Sequence, residues 1–142
     1  MTSPRIKKEL KKLGYGIIIY DAYRPWFVTK MFWEGTPENL KHFVANPENG
    51  SSHNKGCAID IGLYDIKTGE SIVMISGYDE FTERAYPSYI GGSKKQRDIR
   101  DMLIQIMERN DFTVYEYEWW HFNYNKCDSG IMNYSFSELD SL

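Results

Sequence analysis

The chain has 142 residues, 42% of them hydrophobic and 15% aromatic, and a formal net charge of -3 with acids and bases interspersed. That length supports one domain (1–142) with its own core, and the charge pattern excludes an extended basic face for nucleic acid. No apolar run approaches the roughly 20 residues needed to cross a bilayer.

In chain order, Ser3-Pro4 reads as a helix start, with a capping hydroxyl and proline at the first helical position, and Gly14 closes that helix. Ile6, Leu10 and Leu13 fall on one face at helical spacing. Lys7, Lys8, Lys11 and Lys12 make up a solvated face opposite. Tyr15 to Tyr20 is predicted as a buried strand centred on Ile17, Ile18 and Ile19, left through Asp21-Ala22-Tyr23-Arg24-Pro25, where proline stops regular pairing. A helix is expected over Phe27 to Trp33. A second is expected after Thr36-Pro37, turning Leu40, Phe43 and Val44 inward.

Asn46 to Gly56 is a polar loop. Ala58 to Leu63 is predicted as a strand with Ala58, Asp60 and Gly62 on one face and Ile59, Ile61 and Leu63 on the other. A turn at Lys67 to Glu70 leads to a short strand, Ser71 to Ile75, then an irregular stretch, Ser76 to Gly92, with room to rim a pocket. Ser93 caps a helix over Lys94 to Arg109, whose Ile99, Met102, Leu103, Ile106 and Met107 stripe is core packing. Phe112 to Tyr117 and Trp119 to Tyr124 are the last strands. The order predicts an α+β fold, a mainly antiparallel sheet with helices against one face.

The two cysteines, Cys57 and Cys127, lie far apart and form no CxxC pair. A disulfide between them stays open. Isolated thiols in a chain whose N-terminus carries no apolar leader nevertheless fit a reducing compartment better, so a cytoplasmic location is expected, periplasmic if a signal peptide has been removed.

Chemistry concentrates in two segments, Ser51-Ser52-His53-Asn54-Lys55-Gly56-Cys57-Ala58-Ile59-Asp60 and Glu118-Trp119-Trp120-His121. Two of only three histidines lie in them. A loop histidine and a strand carboxylate separated by Gly56 can converge on one point, and His121 completes a His-Asp-His set whose donors suit zinc. A polar pair around two tryptophans is costly to bury without a task. Glu118 then stands outside the ligand set as a base for water on the metal, whose pKa falls to about 7 there. Arg24, leaving a strand end, is the candidate partner for negative charge developing on a carbonyl oxygen, a contribution of about 3–4 kcal/mol in comparable sites. Trp119 and Trp120 read as structural, one in the core and the other on the pocket wall. His42 reads as an exposed helix residue.

The pattern Ser-x-His-x-x-Gly-x-Ala-x-Asp followed by Glu-x-Trp-His resembles the zinc D-alanyl-D-alanine peptidases, whose fold is shared with the Hedgehog signalling domain. Tyr20-Asp21-Ala22-Tyr23-Arg24-Pro25 and Asp79-Glu80-Phe81-Thr82-Glu83-Arg84 resemble the dipeptidase branch, of the vancomycin-resistance type. The resemblance implies one Zn2+ on His53, Asp60 and His121, with Glu118 as catalytic base and Arg24 polarising the carbonyl. It also implies that Ser51 and Asp79 hold the substrate's free ammonium group. The expected function is hydrolysis of D-Ala-D-Ala by attack of a zinc-bound water, with a small peptide as the only implied partner and the oligomeric state open. A murein D,D-carboxypeptidase or endopeptidase of the same fold is the alternative, and a non-catalytic zinc module is a third reading. Relatives usually carry a longer segment before the arginine strand and a longer connection from Arg24 to Ser51, so a more open pocket is expected.

Overall fold

The computed structural model describes residues 4–141, and the Ser3 cap lies outside them. The elements are α1 (Pro4–Lys12), β1 (Tyr15–Asp21), α2 (Trp26–Gly35), β2 (Ala58–Asp65), α3 (Lys94–Glu108), β3 (Phe112–Tyr115), β4 (Glu118–Tyr124) and α4 (Phe136–Asp140). Their order is that of an α+β fold. The four strands form one antiparallel sheet in the order β1-β2-β4-β3.

Helices α1 and α3 cover one face, α1 on β1 and α3 on β3 and β4. Ile59, Ile61 and Leu63 of β2 join Trp120 and Phe122 of β4 and Ile99, Leu103, Ile106 and Met107 of α3 in a continuous buried core. Each such side chain contributes about 1.5–3 kcal/mol by leaving water. The alternation predicted for β2 places these residues as expected, and Ser93 caps α3 through a reciprocal bond with Gln96. Ile6 and Leu10 are buried under α1, but Leu13 is 54% exposed because the helix ends before it.

Several expectations are corrected. Strand β1 is an edge strand, half-buried instead of buried, with Ile19 exposed. Its register against β2 slips between Ile19 and Asp21, and such a bulge re-aims the chain that follows. The segment after Pro37 is a 3-10 helix, Glu38–Phe43, not an α-helix; Phe43 is buried, while Leu40 and Val44 are only partly so. Ser71 to Ile75 reduces to one bridge, Tyr64 to Ser71. The short helix α4 has no apolar stripe to announce it, and none of its residues is buried.

The thiols are also corrected. Cys57 and Cys127 form a disulfide with 5.7 Å between Cα atoms, within the usual span for such a bridge. The β2–β4 register brings them together, since the carbonyl of Cys57 accepts a bond from the Tyr124 amide. Beyond Cys127 the chain turns back. The Met132 amide donates to the Asn54 carbonyl, the Trp26 amide to the Met132 carbonyl and the Phe27 amide to the Asn133 side chain, stitching α2 to the His53 turn. Among the described residues, no helix is long and apolar enough to cross a membrane.

Because Leu103 is fully buried, Leu103→Ala should lower unfolding free energy by about 2–5 kcal/mol. Urea unfolding followed by circular dichroism measures the loss.

Candidate metal centre

On the sheet face away from α1 and α3, a cavity of about 450 Å³ is lined by all seven residues singled out by the sequence: Arg24, Ser51, His53, Asp60, Asp79, Glu118 and His121. Asp60 and His121 stand directly opposite each other in the β2–β4 ladder. Their side chains therefore rise from one face of the sheet. His53 arrives from a single 3-10 turn, Ser52–Lys55. That turn is closed at its start by Ser51, whose hydroxyl oxygen accepts from the His53 amide, and by Asn54, whose side chain accepts from the Ser51 amide. Gly56 ends it in the left-handed conformation, φ 66°, which glycine adopts without strain.

Glu118 and His121 are three residues apart, so a regular strand would point them to opposite faces. The β3–β4 register breaks between Val114 and Tyr115, where Tyr115 pairs with Glu118. Both side chains thereby enter the cavity, Glu118 Oε2 lying 3.8 Å from His121 Nδ1. Trp119 and Trp120 are both buried in the core, with the Trp119 indole donating to Ser76 Oγ; neither forms the pocket wall expected of one of them.

Three donor atoms meet. Asp60 Oδ1 is 3.1 Å from His53 Nε2 and 3.0 Å from His121 Nδ1, and the two ring nitrogens are 3.2 Å apart. The far side of each ring fixes its tautomer. His53 Nδ1 is 2.6 Å from the Ala22 carbonyl, which only accepts, so the proton sits there and the Nε2 lone pair faces Asp60. His121 Nε2 faces Asn123 Oδ1 at 3.1 Å, which leaves the Nδ1 lone pair pointing inward. Ring orientation by an outer acceptor is the usual support of a metal-ligating histidine. Two lone pairs and a carboxylate oxygen, gathered with little water, repel unless a cation lies between them. The set fits a metal ion on that ground. Three protein donors leave room for further ligands, as open sites do.

The charges around the centre are strongly perturbed. Without a metal, protons on the inward nitrogens of His121 and His53 would take the cation's place: burial pulls the Asp60 carboxyl upward, but hydrogen bonds from the two protonated rings more than reverse it and hold its pKa well below the usual range. Glu118 is pushed up to about 8, first by burial and then by Asp60 and Asp79, against the pull of His121 and Arg24. Asp79 is raised too, by partial desolvation and then by Asp60. It sits in the left-handed region at φ 58°, uncommon for a residue with a side chain.

Arg24 Nε and Nη2 both donate to Asp21 Oδ2, at 2.9 and 2.6 Å, and the guanidinium lies 4.9 Å over the Phe32 ring. Its backbone is bound to the His53 turn from both sides: its amide donates to the His53 carbonyl and its carbonyl accepts from Asn54 Nδ2. Sequence reasoning missed Asp21, Asn54, Tyr78 and Asn123. Asn54 and Asp21 lay inside quoted motifs, and their burial or pairing was the missing signal; Asn123 follows His121 by two, the same-face spacing of a strand. His42 is exposed, as expected, and its ring lies against Phe43 and Tyr117.

A family model described as D-ala-D-ala dipeptidase matches residues 5–140, and the chain belongs to that peptidase M15 family. The D-alanyl-D-alanine dipeptidase of Enterococcus faecium is 35% identical over 128 residues, covering 77% of this chain and 62% of the relative. That of Enterococcus faecalis is 33% identical over 129 residues, with 78% and 62% covered. That of Escherichia coli is 35% identical over 109 residues, with 77% and 55% covered. The chain thus spans little more than half to about six-tenths of the length of these curated relatives.

The raised Glu118 carboxyl gives a pH dependence for the metal-free protein. The folded state keeps that proton to about pH 8, whereas the unfolded chain releases it near 4.5. Its stabilising share is therefore full below about 4.5 and lost as pH rises towards 8. Metal-free Glu118→Gln should melt with wild type near pH 4 and above it at pH 8, as read by thermal scans across that range.

Proposed function

We propose that this chain is a zinc-dependent dipeptidase that hydrolyses D-Ala-D-Ala and so limits supply of a cell-wall precursor. The observation that carries the reading is the convergence of His53 Nε2, Asp60 Oδ1 and His121 Nδ1 on one point, with a second buried carboxyl, Glu118, beside them. The names of the relatives, all D-alanyl-D-alanine dipeptidases, supply the substrate class.

His53, Asp60 and His121 would hold the zinc, a choice supported by their two nitrogens and one oxygen. When bound, the metal supplies a Lewis acid and lowers the pKa of water at the site. This chain's own residues do the rest. Asp79, at the cavity lining, offers a negative charge for the dipeptide's ammonium group, and Ser51, on the same lining, offers a hydroxyl. Reading a charged amino end selects short, free-ended peptides.

With that end anchored, the scissile carbonyl lies between Glu118 and Arg24. Glu118 takes a proton from the attacking water and delivers it to the departing amine as the C–N bond breaks. A cation nearby draws its raised pKa down, so that the carboxylate form is present at neutral pH. Arg24 faces the oxygen on which negative charge develops. The Asp21 bridge and the Phe32 ring hold its guanidinium in place before substrate arrives, which is the condition for electrostatic stabilisation.

Zinc-loaded protein should release D-alanine from D-Ala-D-Ala and leave its N-acylated form intact. Cleavage of the blocked peptide would move the assignment to a carboxypeptidase or endopeptidase. Cleavage of neither would favour a non-catalytic zinc module. Glu118→Ala should lower kcat by about 10²–10⁴-fold with zinc retained. Arg24→Ala should lower kcat by about 10²–10³-fold with little change in KM, in steady-state assays of the same release.

A further inference from the structure

Asp60 uses its two oxygens differently. Oδ1 faces both histidines, while Oδ2 accepts a hydrogen bond of 3.0 Å from the Tyr78 hydroxyl. Tyr78 comes from the irregular stretch Ser76 to Gly92, although no sequence pattern marked the tyrosine itself. Its ring is clamped from two sides, stacked on Tyr20 at 4.2 Å and 15°, and set edge-on to Trp120 at 5.5 Å. Tyr20 reaches that position by crossing Gly62, where a Cβ would meet its hydroxyl oxygen at 2.5 Å. The β1 bulge, Gly62, Tyr20 and Trp120 therefore all serve to hold one phenol against one carboxylate oxygen.

We propose that Tyr78 is a positioning residue for the metal centre, keeping Asp60 a ligand through a single oxygen. The inference rests on the reading of His53, Asp60 and His121 as that centre. A carboxylate beside a cation can swing to offer both oxygens, because the two are chemically alike. A donor fixed on Oδ2 removes the alternative and sets the plane of the carboxylate. Outer partners of this kind typically govern metal affinity by about 10–100-fold. Tyr78 immediately precedes Asp79, so the same loop that steadies the metal ligand also carries a carboxylate into the cavity.

Tyr78→Phe keeps the stacked ring and removes only the hydroxyl. Zinc affinity, measured by competition with a chromophoric chelator, should fall about 10–100-fold. The visible absorption of the Co2+-substituted variant should lose intensity, as expected when a second carboxylate oxygen raises the coordination number. A purely structural tyrosine would lower the melting temperature and leave the Co2+ spectrum of the folded protein unchanged. Wild-type affinity and spectrum in Tyr78→Phe, beside a wild type that binds one metal, would overturn this inference alone. Failure of wild type itself to bind zinc or Co2+ would overturn the metal-centre reading and this inference with it.

Discussion

Two imidazole nitrogens and a carboxylate oxygen stand within 3.2 Å of one another where little water reaches them, an arrangement that a positive charge between them would stabilise. Much of the fold is arranged around keeping those three atoms together. The β2–β4 register sets Asp60 opposite His121. The capped turn between Ser51 and Gly56 delivers His53. The Ala22 carbonyl and the Asn123 amide oxygen hold each ring in the tautomer whose lone pair points inward. Helices α1 and α3 cover the other face of the sheet, so the site is supported by a packed core.

Around this centre, loops are bound to one another where isolated loops would drift. Asn54 is the junction. It is fully buried, accepts from the Ser51 amide, donates to the Arg24 carbonyl and to Thr29 Oγ1, and offers its own carbonyl to Met132. Arg24 is thereby fixed to the His53 turn, and the Cys57–Cys127 bridge anchors the start of the returning C-terminal stretch beside the same strand. Satisfied buried networks of this kind rigidify a site, and a metal centre needs its donors placed before the ion arrives.

The sequence made legible those parts of the molecule that local pattern determines. The Ile99 to Met107 stripe specifies α3, and the alternation of β2 separates Ile59, Ile61 and Leu63 from Asp60. The metal-type donors could be found because histidine and carboxylate in a Gly/Ser loop and at a strand end are chemically conspicuous. What depended on tertiary contact was not legible. An edge position for β1 follows from sheet order, which no run of isoleucines encodes. The register break that turns Glu118 to the side of His121 exists only in the pairing with β3. Tyr78 and the disulfide likewise depend on which segments meet across the sheet.

The most direct test of the central claim is metal stoichiometry of the purified protein by mass spectrometry after exhaustive dialysis against zinc, alongside His53→Ala and His121→Ala. The account predicts one zinc per wild-type chain and its loss in both variants while their circular dichroism remains that of the folded protein. A folded wild type that holds no stoichiometric metal, or a His53→Ala variant that retains it with wild-type affinity, would contradict it.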